Sequence, residues 1–336
     1  MDSSKLKQSD LAFVINIHER LVRDFPITPY STWCGWVHSQ RLSPLEKWER
    51  ILHWDLRPAE YTNPTLFAAD YQLRSLLSKF STDEVSDESG LRVAHRKFLD
   101  SEQRCSAIND QLSTRIRPSG QNQLLELAKK IVADCLGDVD DFFNIFDEHW
   151  LAAPVDRPSN SFDGESKDLS LNPDGLNFGP GVSVSASGRS LRSHIEKLEL
   201  ATVTANCWAF IRPVIAATGI DIRPTVVAGS TLTFVPKKVG EMRAICFEPS
   251  MNMLFQKPIG SYMKKRLRAY FNINLRDQSR NQNLAHLGSL CDSWATLDLS
   301  SASDLNAYVL VLELLPKPWF NLLDAVRSPG YTDLDG

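Results

Sequence analysis

Between Pro154 and about Ser193 the chain changes texture. Ser, Asn, Asp, Gly and Pro dominate, with PSNS, FDGES, NPDG and FGPG in succession. Such a stretch buries too little apolar surface to form a core, so it reads as loop or linker and separates an amino-terminal part from a carboxy-terminal one. The 336 residues are then expected to fold as two or three compact parts.

The part before the break reads as helices. Leu11, Val14, Ile15, His18 and Leu21–Val22 recur at helical spacing, and Leu124, Leu125, Leu127, Ala128, Ile131 and Val132 do so again, ending near Gly137. Trp33, Trp36, Trp48 and Trp54 cluster early and are expected to be packing aromatics. Gly137-Asp138-Val139-Asp140-Asp141 looks like a calcium loop. It lacks the glycine at loop position six and the glutamate at twelve, so a solvated helix entry is expected instead. Cys34, Cys105, Cys135, Cys207, Cys246 and Cys291 form no CxxC pair and are expected to be buried, reduced thiols.

After the break, strand and helix alternate. Thr225–Val227, Thr231–Val235 and Met242–Phe247 are β-rich, and Val235–Arg243 predicts a hairpin with cations near its tip. A helix is predicted from Ile259 to Phe271, with Ile259, Met263, Leu267 and Tyr270 on one face and Lys264 and Arg268 on the other. Further helices are predicted at Asp277–Leu287, Ala302–Leu315 and Trp319–Val326, and a strand at Trp294–Leu299. Gly179-Pro180-Gly181 followed by SVSASGRS has no phosphate-loop pattern, and no chemistry can be assigned to it.

Charge is unevenly placed. The formal net charge is −4, yet residues 231–290 carry +7 and the remainder −11. That asymmetry suits a polyanionic partner, and by itself it equally suits a helix kept soluble by Lys and Arg. No window holds the roughly 18 apolar residues of a membrane span. The start, MDSSKLKQSD, lacks the apolar core of a secretion signal, so a cytosolic chain is expected.

The chemistry concentrates in Trp294–Asp304. Asp298 stands near the end of an apolar segment, small residues come after it, and Asp304 comes next. An acid among apolar strand residues must be solvated, bonded or bound to a cation. Taken alone, D-x₅-D is what an edge strand and a helix-dipole acid also give. With the cationic hairpin and the basic helix it becomes what nucleotidyl transfer needs. A metal would align phosphates, Lys and Arg would hold a triphosphate, and the basic helix would track a nucleic-acid backbone.

The segments FVPKKVGEMRAICFEPSMNMLFQKPIG, RLRAYFNINLRDQSRNQNLAHLGS, WATLDLSSASD and ELLPKPWFNLLDAVRSPGYTDLDG resemble the replicase of the single-stranded RNA bacteriophages, the leviviruses typified by phage Qβ. The resemblance is continuous from about Phe234 to Gly336, and the FGPG turn fits it. It implies an RNA-directed RNA polymerase of α+β class with a right-hand fold. The expected divisions are a helical region 1–153, a linker 154–193, fingers 194–290 and the start of a palm 291–336. It implies that Asp298 ligands the catalytic metals, two Mg²⁺ ions that Mn²⁺ can replace. It further implies that Asp304 helps recognise the nucleotide ribose and that Lys237, Lys238 and Arg243 hold the triphosphate. Lys264, Lys265, Arg266 and Arg268 are expected template or phosphate contacts by our own reading of the helix. The family's Gly-Asp-Asp hairpin and thumb are not found, so the chain is expected to be an N-terminal part, either inactive alone or a catalytically silent RNA-binding module. Implied partners are RNA template, nucleoside triphosphates, the host elongation factors Tu and Ts and, in some members, the largest small-subunit ribosomal protein, all in the bacterial host cytoplasm.

Overall fold

The structure is a computed structural model. It describes residues 5–6, 8–79, 81–82, 87–150, 182–186, 193–217, 219, 221–238, 241–291 and 293–333. The FGPG turn, most of the predicted linker and the Val239-Gly240 tip of the hairpin lie outside the described residues. The fold is α+β and mostly helical. In chain order the elements are β1 (Lys5–Leu6), α1 (Gln8–Asp24), α2 (Pro29–Ser39), α3 (Pro44–His53), α4 (Pro64–Ser78), β2 (Ser81–Thr82), α5 (Asp87–Thr114), α6 (Ser119–Leu136), α7 (Val139–Trp150) and α8 (Ser193–Glu199). Next come β3 (Thr202–Thr204), α9 (Ala205–Ala217), β4 (Thr225–Val227), β5 (Ser230–Lys238), β6 (Glu241–Phe247), α10 (Ser250–Phe271), α11 (Ser279–Cys291), α12 (Tyr308–Leu314), α13 (Lys317–Val326) and β7 (Tyr331–Thr332). β3 pairs with β4 in parallel, and β6, β5 and β7 form a sheet in that order. Two compact units result. One holds residues 1–99 with 234–245, and the other 100–233 with 246–336. The predicted 1–153 region is thus divided between them, and the distal part of the hairpin belongs with the first.

In the first unit α1 packs against α2, α3 and α4. Capping boxes start two of these helices: Thr28 and Ser31 at α2, and Ser43 and Glu46 at α3, each with Pro at the first helical position. Leu11, Val14, Ile15, Tyr30, Cys34, Val37, Trp48, Ile51, Leu73 and Leu77 form its core. The predicted role of the early tryptophans holds: the Trp48 indole donates to the Leu77 carbonyl, and Trp33 stacks on Trp36 with centroids 4.9 Å apart. Polar groups are buried here as well. His18 and His38 share a hydrogen bond at 2.9 Å, and Asp70 accepts one from Tyr61 at 2.8 Å.

In the second unit α10 packs against α6, β3 and α13. It begins nine residues before the predicted start, because Ser250 and Asn252 serve the buried backbone rather than break the helix. Thr202 N–H donates to Ser250 Oγ and Ser250 N–H donates to Thr202 Oγ1, both at 3.2 Å. Asn252 Oδ1 accepts from Thr204 N–H, while its amide donates to Thr204 Oγ1 and to the Val326 carbonyl. Trp319 stacks on Tyr262 and donates to the Gly137 carbonyl at 2.8 Å. Gly137 ends α6 with φ +70°, and a Cβ there would meet the Arg266 guanidinium at 2.9 Å. Asp138 then caps α7 by accepting from Asp140 N–H, as the helix-entry reading expected. At the sheet, Ser230 pairs with Tyr331, and a Cβ on Gly229 would fall 2.0 Å from the Gly330 carbonyl oxygen. Only a glycine admits that approach.

Three expectations need correction. Trp294–Leu299 forms no strand and joins no ladder among the described residues. A strand exists only where a second edge pairs with it, and here Leu297 and Leu299 remain 87% and 73% exposed. The predicted helix from Ala302 starts only at Tyr308. The Ser-rich run ahead of it turns instead, with Ser301 in the left-handed region at φ 54° and Asp304 N–H bonded to the Ser301 carbonyl. Cys246 and Cys291 are exposed, while Cys34, Cys135 and Cys207 are buried; all six are free thiols.

Candidate functional site

Asp298 and Asp304 lie in the second unit, and both side chains are exposed. Asp298 follows Thr296 and Leu297 in a segment that forms no strand, and its carboxylate is exposed. Asp304 is held by the turn that replaces the predicted helix start and accepts from the Ser303 hydroxyl at 2.9 Å. It therefore precedes α12 rather than sitting in its first turn.

β5 and β6 are neighbours in the sheet, as their β-rich composition predicted. Lys237 and Arg243 are exposed, and Lys238 ends β5. Lys237 Nζ is 2.9 Å from Glu241 Oε1, a partly exposed pair worth little to stability. Arg243 has no ion-pair partner among the described residues. The side chains of Lys237 and Arg243 can meet an anion without first breaking a buried contact.

The basic helix α10 sorts its cations by face. Lys264 and Arg268 are exposed one turn apart, and neither has an ion-pair partner among the described residues. Phe271 lies at i+7 from Lys264 and completes the row, although counting charges passes over it. Lys265 is half-buried; burial and the nearby Arg276 guanidinium lower its pKa. Arg266 turns inward. Its Nε donates to the Cys135 carbonyl at 2.7 Å and its Nη2 to that of Asp134 at 3.4 Å. It ties the end of α6 to α10, so the expectation of a template contact there gives way to a structural one. Exposed carbonyls at a helix end attract a guanidinium, and no count of charges reveals them.

Among the described residues no three His, Cys, Asp or Glu side chains are grouped to hold a metal ion. Asp298 offers a single carboxylate. That fits the share one residue takes of a hard cation also held by phosphates, and does not by itself make a complete site. No helix among the described residues is long and apolar enough to cross a membrane.

Residues 175–336 match the family described as RNA replicase, beta-chain. The chain is 31% identical over 287 residues to the RNA-directed RNA polymerase beta chain of Enterobacteria phage GA, covering 84% of this chain and 50% of that protein. It is 45% identical over 111 residues to the beta chain of Escherichia phage MS2, covering 33% of this chain and 20% of that one. Against the polymerase subunit beta of Escherichia virus Qbeta it is 29% identical over 273 residues, covering 79% and 41%. The chain thus spans about half the length, or less, of these relatives. Residues 175–336 are thus similar to the RNA replicase beta-chain family, and most of the chain is similar to the amino-acid sequence of phage RNA-directed RNA polymerase beta chains.

Proposed function

We propose that the chain is part of a template-directed RNA polymerase of right-hand architecture, with residues 194–290 as fingers and 291–336 as the start of the palm. The observation that carries this is the exposed carboxylate of Asp298 within a stretch matched to replicase beta chains. Asp298 would hold Mg²⁺ together with nucleotide phosphates, and the metal would polarise the reacting oxygens. Lys237, Lys238 and Arg243 neutralise the triphosphate, Asp304 meets the ribose, and Lys264, Lys265 and Arg268 hold the template backbone. The reaction of the complete enzyme joins a 3′-hydroxyl to the α-phosphate of the incoming nucleotide and releases pyrophosphate. The proposed assembly includes the host elongation factors Tu and Ts.

In a full-length replicase, Asp298→Asn is expected to abolish elongation while leaving the circular dichroism spectrum unchanged. Normal elongation overturns the proposal. A second reading, an RNA-binding module without catalysis, is favoured for the isolated chain by the lack of a three-ligand group among the described residues. The purified chain is then expected to bind RNA and to incorporate no nucleotide on a template. Incorporation would discard that second reading.

A further inference from the structure

The C-terminal end of α10 carries more than cations. Tyr270 and Phe271 are 48% and 41% exposed, and their rings meet edge to face with centroids 4.7 Å apart. At 100° per residue, Lys264, Arg268 and Phe271 fall at i, i+4 and i+7, on one face of the helix. Tyr270 braces the Phe271 ring from the side. Asn272 ends the helix in the left-handed conformation, with its N–H bonded to the carbonyls of Arg268 and Leu267, which fixes Phe271 as the last helical residue. The chain then turns away through Asn274 and Asp277 to start α11. Asp277, the only acid between Lys257 and Arg280, accepts from Ser279 N–H.

Exposed aromatic rings on a soluble surface leave apolar area in water unless a partner covers them. Here that partner must also satisfy two exposed cations. A single-stranded nucleic acid does both, because its phosphates meet the cations while its unpaired bases present π-faces to the rings. A duplex offers the phosphates alone, its bases being already stacked. We infer that Lys264, Arg268, Tyr270 and Phe271 form a platform that selects single-stranded RNA, with Phe271 stacking a base and the two cations holding the flanking phosphates. The inference rests on the reading of the chain as part of an RNA polymerase, and it is tested without catalysis.

The test is fluorescence anisotropy of the 336-residue chain with a labelled single-stranded RNA and with the duplex of the same sequence. The wild-type chain is expected to prefer the single strand. Phe271→Ala with Tyr270→Ala is expected to weaken single-strand binding about tenfold and to leave duplex binding unchanged, so the preference disappears. Tyr270→Phe retains the ring and is expected to retain affinity. Lys264→Ala with Arg268→Ala is expected to weaken both ligands and to reduce the salt slope on single strands by about 1.4. Photocrosslinking of 4-thiouridine RNA to the unaltered chain, mapped by mass spectrometry, is expected to label the peptide holding Tyr270 and Phe271, whatever the variants do to folding. Equal affinity for single strand and duplex in the wild-type chain, or crosslinks confined to other peptides, overturns the platform. Should the aromatic variants bind normally while Asp298→Asn abolishes elongation, the platform fails and the polymerase reading stands. Should they lose single-strand preference while Asp298→Asn elongates normally, the reverse holds.

Discussion

The two units bury polar groups in opposite ways. Around α10 the side chains of Ser250, Asn252, Thr202 and Thr204 all meet partners, and the bonds run from helix to strand to the end of α13. In the α1–α4 bundle the burial is comparable but the bonding is incomplete. His18 Nε2, His38 Nδ1, Trp33 Nε1 and Asp70 Oδ1 are buried with no hydrogen-bond partner among the described residues. A fully bonded polar core resists change until a bond is cut, whereas a partly bonded one responds to whatever alters its charge. The polar cluster around α10 is the first kind, and the amino-terminal bundle is the second.

Acid tests that contrast most strongly. Burial, together with the neighbouring imidazole, lowers His18 to a pKa of about 3. Burial also lowers His38 to about 4, against an opposing pull from Glu19, with Lys47 and Arg23 adding to the drop. Lys47 Nζ also donates to the His38 carbonyl, and Arg23 pairs with Glu19. Both folded values lie below the unfolded value of about 6.5, so the unfolded chain binds more protons once the pH falls past it. The bundle therefore keeps this stability above pH ~6.5 and loses it progressively as the pH falls toward ~3, the His38 share being complete by ~4. A loss on the order of 3 kcal/mol by pH 5 is expected from the two rings together. Hydrogen exchange at α1 and α2, at pH 7 and pH 5, reads it, with α10 as the unchanging reference. Equal loss in both places would erase the contrast.

Cutting a bond in the satisfied core comes next. Asn252→Ala leaves Thr204 N–H without its acceptor, while the Val326 carbonyl keeps its bond from Gln256 Nε2, and is expected to cost about 2 kcal/mol, read by urea denaturation. Gly137→Ala forces a side chain into the left-handed region and against Arg266, for about 1–2 kcal/mol. The smallest effect is expected at Leu297→Ser and Leu299→Ser, within about 0.5 kcal/mol each, because neither side chain is buried. A large loss there would show that the segment is packed in solution.

These differences reflect what a sequence can carry. The helices α1 and α6 and the β5–β6 hairpin were legible because their apolar spacing is local. Asn252 was not, since a polar residue in a helix reads as surface until its partners, 48 and 74 residues away, are known. The apolar run around Asp298 led to a strand that the structure does not contain, because a ladder needs a second edge, and that is a non-local fact. Asp298, Asp304 and the hairpin cations emerged through their resemblance to a family, and the α10 cations from their place on the helix. The structure then separated Lys264 and Arg268, which face water, from Arg266, which does not.

The exposure of Leu297 and Leu299 has a colloidal consequence. A short exposed segment rich in apolar residues can associate with the same segment of another copy. The negative charge of Asp298 sits between those two leucines, where stacked copies would bring like charges together, so it acts as a gatekeeper against self-association. Neutralising it in Asp298→Asn should lower the concentration at which the protein precipitates, and light scattering of that variant must accompany any measurement of its elongation.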